Sequence, residues 1–518
     1  MPCYPRCCTI GAAVGLGALL VAGASRADTF HYRDAGGKSV ELEASLVGFD
    51  QAVYILETAD GRYHLVPRAA AEKRVASPGP TPLDGTAMAG RLREEFTAER
   101  FRSYLQDPFV IGLVLGSPLP KTSEGAAKAF LRDAGAFMKN VEAAFVRYVR
   151  EARIEAPPPA HPVIVLIFET KDDFVKYASA ATSRDEEFTR HVAGFYSKLT
   201  NILAIRLEEC RTYETPLHEA IHQQVYVRKI FQRLAPIPTW FDEGLATGFE
   251  ANAGKINVGP GKVSVRYANQ ALQAAQVGWE HLLAGDDPFH TPALVDDAYG
   301  QAWGLHWLLV TRYRNEYPAY LRLLGQKKPL EDDEPAQRQA DFRQAFGDKL
   351  AEMQTHFRPS LDAACRKQNV ILKPPERKGI SLTEENLGRV QLTAVRHRTS
   401  GPGGLMGDRL EVQGTLTNLS PLRPMAFLVI VETDAATYAD WCVPRLEALK
   451  STPLPPQNVV KSMDIDAAAA ATVAAVRGLG QGPQTFRVCI RSAPADSEEA
   501  QRWSSGQYPK PVFGATRE

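Results

Sequence analysis

Cysteine is scarce, with seven in 518 residues and three of them within the first eight positions. The other four, Cys210, Cys365, Cys442 and Cys489, have no zinc-ribbon spacing, so they are not read as metal ligands. Charge of either sign is not in excess. Lys+Arg and Asp+Glu both number 60, and no basic run stands out, which excludes the electrostatic signature of a nucleic-acid binder. The apolar, charge-free stretch Ile10–Ala24 is short of the roughly 20 residues that span a bilayer, so no stable membrane span is expected in the mature chain. No internal repeat is present. What remains is ordinary globular composition, 44% hydrophobic and 23% charged, over a length that suggests about three to five domains.

The first 27 residues are of a different kind. Arg6 precedes the apolar stretch, and Ser25-Arg26-Ala27 then precedes Asp28. That order of charge, apolar run and small residues is that of a secretory signal peptide, with cleavage placed after Ala27; Ala24 also satisfies the small-residue rule. No cysteine follows closely enough for a lipoprotein anchor. An exported, periplasmic or secreted protein is expected. In an oxidising compartment the four remaining cysteines can pair, as Cys442–Cys489 and Cys210–Cys365, or stay as buried thiols.

Residues 28–76 read as a small β-barrel or highly curved sheet: Ser39 to Val47 alternates, Ala52 to Thr58 follows, and Asp60-Gly61 turns into Tyr63-His-Leu-Val. This resembles the small SH3-like domains attached to some exported bacterial proteins. Residues 77–90 read as a linker. Helical periodicity is expected from Leu92 to Leu105 and from Glu124 to Glu151, a buried strand from Pro162 to Phe168, and a helix from Lys171 to Ala181. A turn or short strand at Gly194-Phe-Tyr196 leads to a strand at Asn201–Leu207. Helices are expected over Thr212–Leu234, Thr239–Ala251, Gly300–Tyr313 and Arg338–His356. Pro374-Pro375 closes this central region, 91–372. Residues 380–518 show strand-like segments at 390–395, 409–416, 425–432 and 485–491, expected as a β-sandwich, with the Ala-rich stretch 467–476 as a helix. The fold class is therefore α+β and multidomain.

His218-Glu219-Ala220-Ile221-His222 fits His-Glu-x-x-His. Imidazoles four residues apart lie on one helix face and reach a common point, where Zn²⁺ accepts nitrogen at about 2.0–2.1 Å. Glu219 beside them is placed to act as a base rather than a ligand. Zinc needs a third protein ligand. A metzincin continuation requires Gly at 225 and His at 228, where this chain has Val225 and Arg228. An Asp ligand before x-x-Tyr-Gly is matched only in part by Asp296-Asp-Ala-Tyr299-Gly300. A glutamate on a second helix is supplied by Trp240-Phe-Asp-Glu243-Gly244. Pro236 and Pro238 stop the first helix, Thr239 with Asp242 offers a capping box for the second, and Gly244 leaves room for close approach.

His218-Glu-x-x-His-Gln223 followed by Trp240-x-x-Glu243-Gly-x-Ala is similar to the gluzincin clan of metallopeptidases, most of all to the uncharacterised bacterial peptidase MA-like family. The resemblance covers about residues 160–360. It implies a zincin-like domain with one Zn²⁺ on His218, His222 and Glu243, and Glu219 as general base. The clan also uses a Tyr or His toward the oxyanion, which implies Tyr299, in Ala298-Tyr299-Gly-Gln-Ala-Trp303-Gly, with His306 as the alternative. The Gly-x-Met-Glu-Asn segment of aminopeptidases is missing, which leaves an endopeptidase or another amide hydrolase. Gly194-Phe-Tyr196 would precede an edge strand that pairs with an extended substrate. The expected partner is a peptide or protein substrate, with the β-domains as possible contacts to the cell envelope. The alternatives are a degenerate peptidase that only binds peptide or glycan, and an envelope protein whose β-domains carry the role.

Overall fold

The computed structural model describes residues 26–34, 36–78, 80–250, 256, 259–272, 277–291, 293–372, 387–400, 406–433, 437–458, 460–461 and 486–508. Nearly all of the expected leader, the prolines at 374–375 and the Ala-rich stretch 467–476 lie outside them. The described chain is mixed α and β and divides into two compact units. The first holds the described residues up to Ala59 together with His64–Thr81. The second holds Asp60–Tyr63 and everything described from Pro82 onward.

The first unit is built on one five-stranded sheet in the order β4-β3-β2-β1-β5, from β1 (Arg26–Arg33), β2 (Ser39–Phe49), β3 (Val53–Glu57), β4 (Tyr63–Pro67) and β5 (Ala71–Pro78). Alternation sends Phe30, Ala44, Leu56 and Val66 into a small core. A register shift between Leu46 and Gly48 puts a bulge in the β2–β3 pair.

The second unit begins with α1 (Gly85–Glu95), β6 (Phe101–Gln106), β7 (Phe109–Val114), α2 (Glu124–Glu151), β8 (Val163–Phe168), α3 (Lys171–Thr182), α4 (Glu186–Thr189), β9 (Gly194–Ser197) and β10 (Ile202–Arg206). Its sheet runs β6-β7-β8-β10-β9. The inner three strands are parallel, and the two edges, β6 and β9, are antiparallel to their neighbours. The inner strands are continuous apolar runs because both faces are covered. Ile111, Val165, Ile167, Leu203 and Ile205 join one core, shared with α2 and the later helices. Val110, Ile164, Leu166 and Ala204 join another, shared with α1 and α3.

Among the described residues nine helices follow: α5 (Glu214–Val227), α6 (Thr239–Phe249), α7 (Val265–Leu272), α8 (Trp279–Ala284), α9 (Asp287–His290), α10 (Val295–Arg312), α11 (Tyr317–Gln326), α12 (Pro335–Phe346) and α13 (Leu350–Gln368). Among the described residues no helix is long and apolar enough to cross a membrane.

The C-terminal strands are β11 (Gly388–Ser400), β12 (Met406–Asn418), β13 (Met425–Thr433), β14 (Thr437–Leu446), β15 (Ser451–Asn458), β16 (Val460–Lys461) and β17 (Phe486–Pro494), followed by α14 (Glu498–Ser504). They form two sheets, β11-β12-β15 and β16-β14-β13-β17. The sheets meet closely at Gly388, where a Cβ would lie 2.8 Å from the Phe427 ring and 3.2 Å from Ile490. Arg423, 1% exposed, joins this region to the central sheet by donating to Glu169 at the end of β8 and to Ser117.

Several expectations are corrected. The helix expected over Leu92–Leu105 ends at Glu95; Thr97 has φ 64°, and Phe101–Gln106 is edge strand β6, whose alternating burial had passed for helical spacing. Helix α1 occupies the end of the expected linker, capped by Asp84, which accepts from Ala87 N at 2.8 Å. The single helix expected over Arg338–His356 is two, divided at Gly347 with φ 72°. Helix α5 stops at Val227, before the prolines, where Lys229 takes φ 53°. The four cysteines are free thiols. Cys442 on β14 and Cys489 on β17 have β13 between them. Two strand spacings, about 9.5 Å, exceed the roughly 7 Å limit on Cα separation for a disulfide.

Candidate metal centre

Helix α5 is fixed to the central sheet by its apolar face, Leu217, Ala220, Ile221 and Val225, and by Gln223, whose Nε2 donates to Ile164 O at 2.8 Å. That leaves His218, Glu219 and His222 on the opposite side, one turn apart. After the prolines, α6 returns antiparallel in sequence sense beside α5, with Trp240, Phe241, Leu245 and Ala246 buried. Gly244 is required here: a Cβ would lie 2.7 Å from Ala302 O and 2.9 Å from His306 Cβ. The close approach foreseen for Gly244 is thus with α10.

His218, His222 and Glu243 converge. His218 Nε2 lies 3.0 Å from Glu243 Oε2 and 3.1 Å from His222 Nε2, and His222 Nε2 lies 3.6 Å from Glu243 Oε2. Atoms tetrahedrally placed at about 2.0–2.1 Å from zinc are about 3.3–3.4 Å apart, so the three donor separations fit one small cation.

Each imidazole has a carboxylate behind it. His218 Nδ1 is 2.7 Å from Glu250 Oε1, and His222 Nδ1 is 3.1 Å from Asp242 Oδ1. This leaves both Nε2 atoms facing the triad, the arrangement that orients histidine ligands and raises their basicity. The carboxylates are themselves held. Glu250 Oε2 accepts from Tyr267 OH at 2.8 Å, and Asp242 Oδ2 accepts from Tyr226 OH at 2.7 Å and from Lys198 Nζ at 3.1 Å. Burial works against charge on Asp242, Glu243 and His222, but the ion pairs prevail. Asp242 and Glu243 are held well below the usual carboxylate range, Asp242 by Lys198 and His222, Glu243 by His222 and His218. His222 is raised to about 10 by Asp242 and Glu243. Three carboxylates, Glu243, Asp242 and Glu250, within hydrogen-bond reach of the two imidazoles give the site negative potential, which suits a divalent cation.

Glu219 sits beside the triad. Its Oε2 accepts from Tyr196 N, on edge strand β9, at 2.9 Å. Burial raises its pKa, against the lowering effect of His218 and His222. Tyr299, at the start of the second turn of α10, is brought to the same place. Its ring is 6.4 Å from the His218 ring, and the negative charge of the Glu243 carboxylate pushes its pKa up, with burial adding to the effect.

The structure does not bring His306 there. It is fully buried against Phe241, with Nε2 2.8 Å from Tyr317 OH, and burial pushes its pKa down to about 3. The expected oxyanion alternative is corrected to a core residue. The Thr239–Asp242 capping box is also corrected. Thr239 N donates to Asp286 Oδ1 at 3.1 Å, and Asp242 faces His222 instead. Sequence reading missed Glu250, Tyr267, Tyr226 and Lys198. Only Glu250 left a local signal, since it stands seven residues, or two turns, after Glu243.

No curated protein matches the chain. The segment 213–331, which carries α5, α6 and Tyr299, is similar to a family described as protein of unknown function (DUF1570), a match that names no peptidase family.

Proposed function

We propose that this chain is an exported zinc-dependent peptidase whose ligands are His218, His222 and Glu243. The observation that carries the reading is the convergence of these three donors with Glu219 alongside them and outside the triad. The alternating α and β elements around the β6–β10 sheet, with α5 against it and α6 beside α5, support a zincin-like domain. A zinc ion held there would supply Lewis acidity, polarising a carbonyl and making water a stronger acid.

The chain's own residues supply the rest. Tyr196 N–H anchors Glu219 Oε2, so Oε1 is the atom left to take a proton from attacking water and deliver it to the leaving amine. Tyr299 is placed to donate its hydroxyl toward charge that develops on the carbonyl oxygen; its raised pKa keeps it protonated for that task. Strand β9 is the edge of its sheet, which suits an extended peptide lying beside it.

The test is cleavage of fluorescein-labelled casein by the purified chain. Activity lost on chelation, restored by zinc, and abolished in Glu219→Gln with zinc still bound supports the reading. Full activity in Glu219→Gln or after chelation contradicts it. Zinc binding and peptide binding without cleavage by the wild-type chain would instead favour a degenerate peptidase acting as a binding module.

A further inference from the structure

The turn that joins β9 to β10 is tied to both metal-bearing helices. Lys198, in this turn, is held at two points. Its ammonium is 3.1 Å from Asp242 Oδ2, the carboxylate behind His222. Its carbonyl accepts from Arg233 Nη1 at 3.3 Å. Arg233 belongs to the connection between α5 and α6, is 6% exposed, and also donates to Gly61 O at 2.9 Å. Its guanidinium lies 3.4 Å from the centre of the Tyr63 ring, and Tyr63 N donates to Leu199 O at 2.7 Å. The turn is stiffened from within by Asn201, at φ 60°: its N–H donates to Ser197 O at 2.8 Å, and its side-chain oxygen accepts from Tyr196 OH at 2.7 Å. Two residues before Lys198, the Tyr196 amide holds Glu219. One short segment thus connects the anchor of the proposed base, the orienting carboxylate of a proposed ligand and the link between their helices.

We propose that Lys198 and Arg233 are positioning residues for the peptidase reaction, tying edge strand β9 to Asp242 and hence to His222. The inference rests on the peptidase reading and deepens it. Neither side chain touches the reacting groups. Both act through their hold on the β9–β10 turn, which keeps the Tyr196 amide, Glu219 and His222 in one arrangement.

The test compares Lys198→Met, Lys198→Arg and Arg233→Met in the full chain by amide hydrogen exchange and by casein cleavage. In Lys198→Met and Arg233→Met, the amides of 194–197 should exchange about tenfold faster, while those of Val163–Phe168 on β8 are unchanged. With zinc content preserved, kcat for labelled casein should fall about tenfold at little-changed KM, a size typical of lost outer-shell support. Lys198→Arg should restore both readouts. Lys198 is partly exposed, so its variants should fold even if Arg233→Met does not. Unchanged exchange at 194–197 in Lys198→Met, or loss of protection spread equally over β8, overturns the proposal. If the wild-type chain cleaves nothing, the peptidase reading fails, and the exchange comparison still decides the tie.

Discussion

Glu250→Gln isolates what the carboxylate behind His218 contributes. Glu250 receives Tyr267 OH at 2.8 Å on one oxygen and faces His218 Nδ1 at 2.7 Å with the other. Both partners donate to it, so both its oxygens must accept. Glutamine keeps the shape but offers one acceptor and one NH₂ group. One of the two partners then meets a donor, and the charge that fixes the His218 tautomer is gone. Loss of such a partner typically weakens metal affinity about 10–100-fold, or about 1.4–2.7 kcal/mol. Tyr267→Phe removes a hydrogen bond to a charged group, typically worth about 1.5–3 kcal/mol, but leaves the carboxylate facing His218, so its effect on zinc affinity should be smaller than that of Glu250→Gln. The assay is zinc competition against a chromophoric chelator, with thermal melting of each metal-free variant as control. Wild-type zinc affinity in a folded Glu250→Gln protein, or a larger loss in Tyr267→Phe than in Glu250→Gln, would refute the reasoning.

Three other outcomes follow from the structure. Glu219→Gln should keep zinc bound and lower kcat for labelled casein by about 10²–10⁴-fold, measured by single-substrate kinetics. Gly244→Ala would set a Cβ 2.7 Å from Ala302 O, and overpacking of this kind should lower unfolding free energy by about 1–3 kcal/mol in urea titrations. Glu208 is raised to about 7, chiefly by burial and in part against Arg206. A folded-state pKa above the unfolded value near 4.5 means that the folded chain binds the extra proton. The Glu208 contribution is therefore favourable below about pH 4.5 and is lost as pH rises through 7, on the order of 3 kcal/mol in all. Glu208→Gln should remove that part of the slope in urea titrations between pH 5 and 8; an unchanged slope would count against it.

The site was legible in the sequence where its chemistry is local. His218, Glu219 and His222 announce themselves by helical spacing, and Glu243 by the two prolines and the Trp-x-x-Glu-Gly helix that returns the chain. Asp242 was visible but misread, because a Thr followed three residues later by an acid also describes a cap. Here Pro238 precedes the helix, and the Asp242 side chain turns inward to His222, Tyr226 and Lys198. Lys198, Tyr226 and Tyr267 reach the site through tertiary packing, which no short-range pattern records. His306, an alternative to Tyr299 that its apolar helix makes easier to read as a packed residue, is indeed enclosed by Phe241 and Tyr317. In the fold, strands with both faces buried, such as Pro162–Phe168, were plain. Strand β6 was not, because an amphipathic edge of six residues satisfies a helical template nearly as well. Gly347 divides α12 from α13 through a positive φ that only the folded backbone reveals.

The most direct test of the central claim is zinc content, with X-ray absorption at the zinc edge, on the purified chain and on His218→Ala, His222→Ala and Glu243→Ala. The account predicts one zinc per wild-type chain, bound through two imidazole nitrogens and carboxylate oxygen, with affinity lost in each variant. Wild-type zinc affinity in the folded triple variant would contradict it.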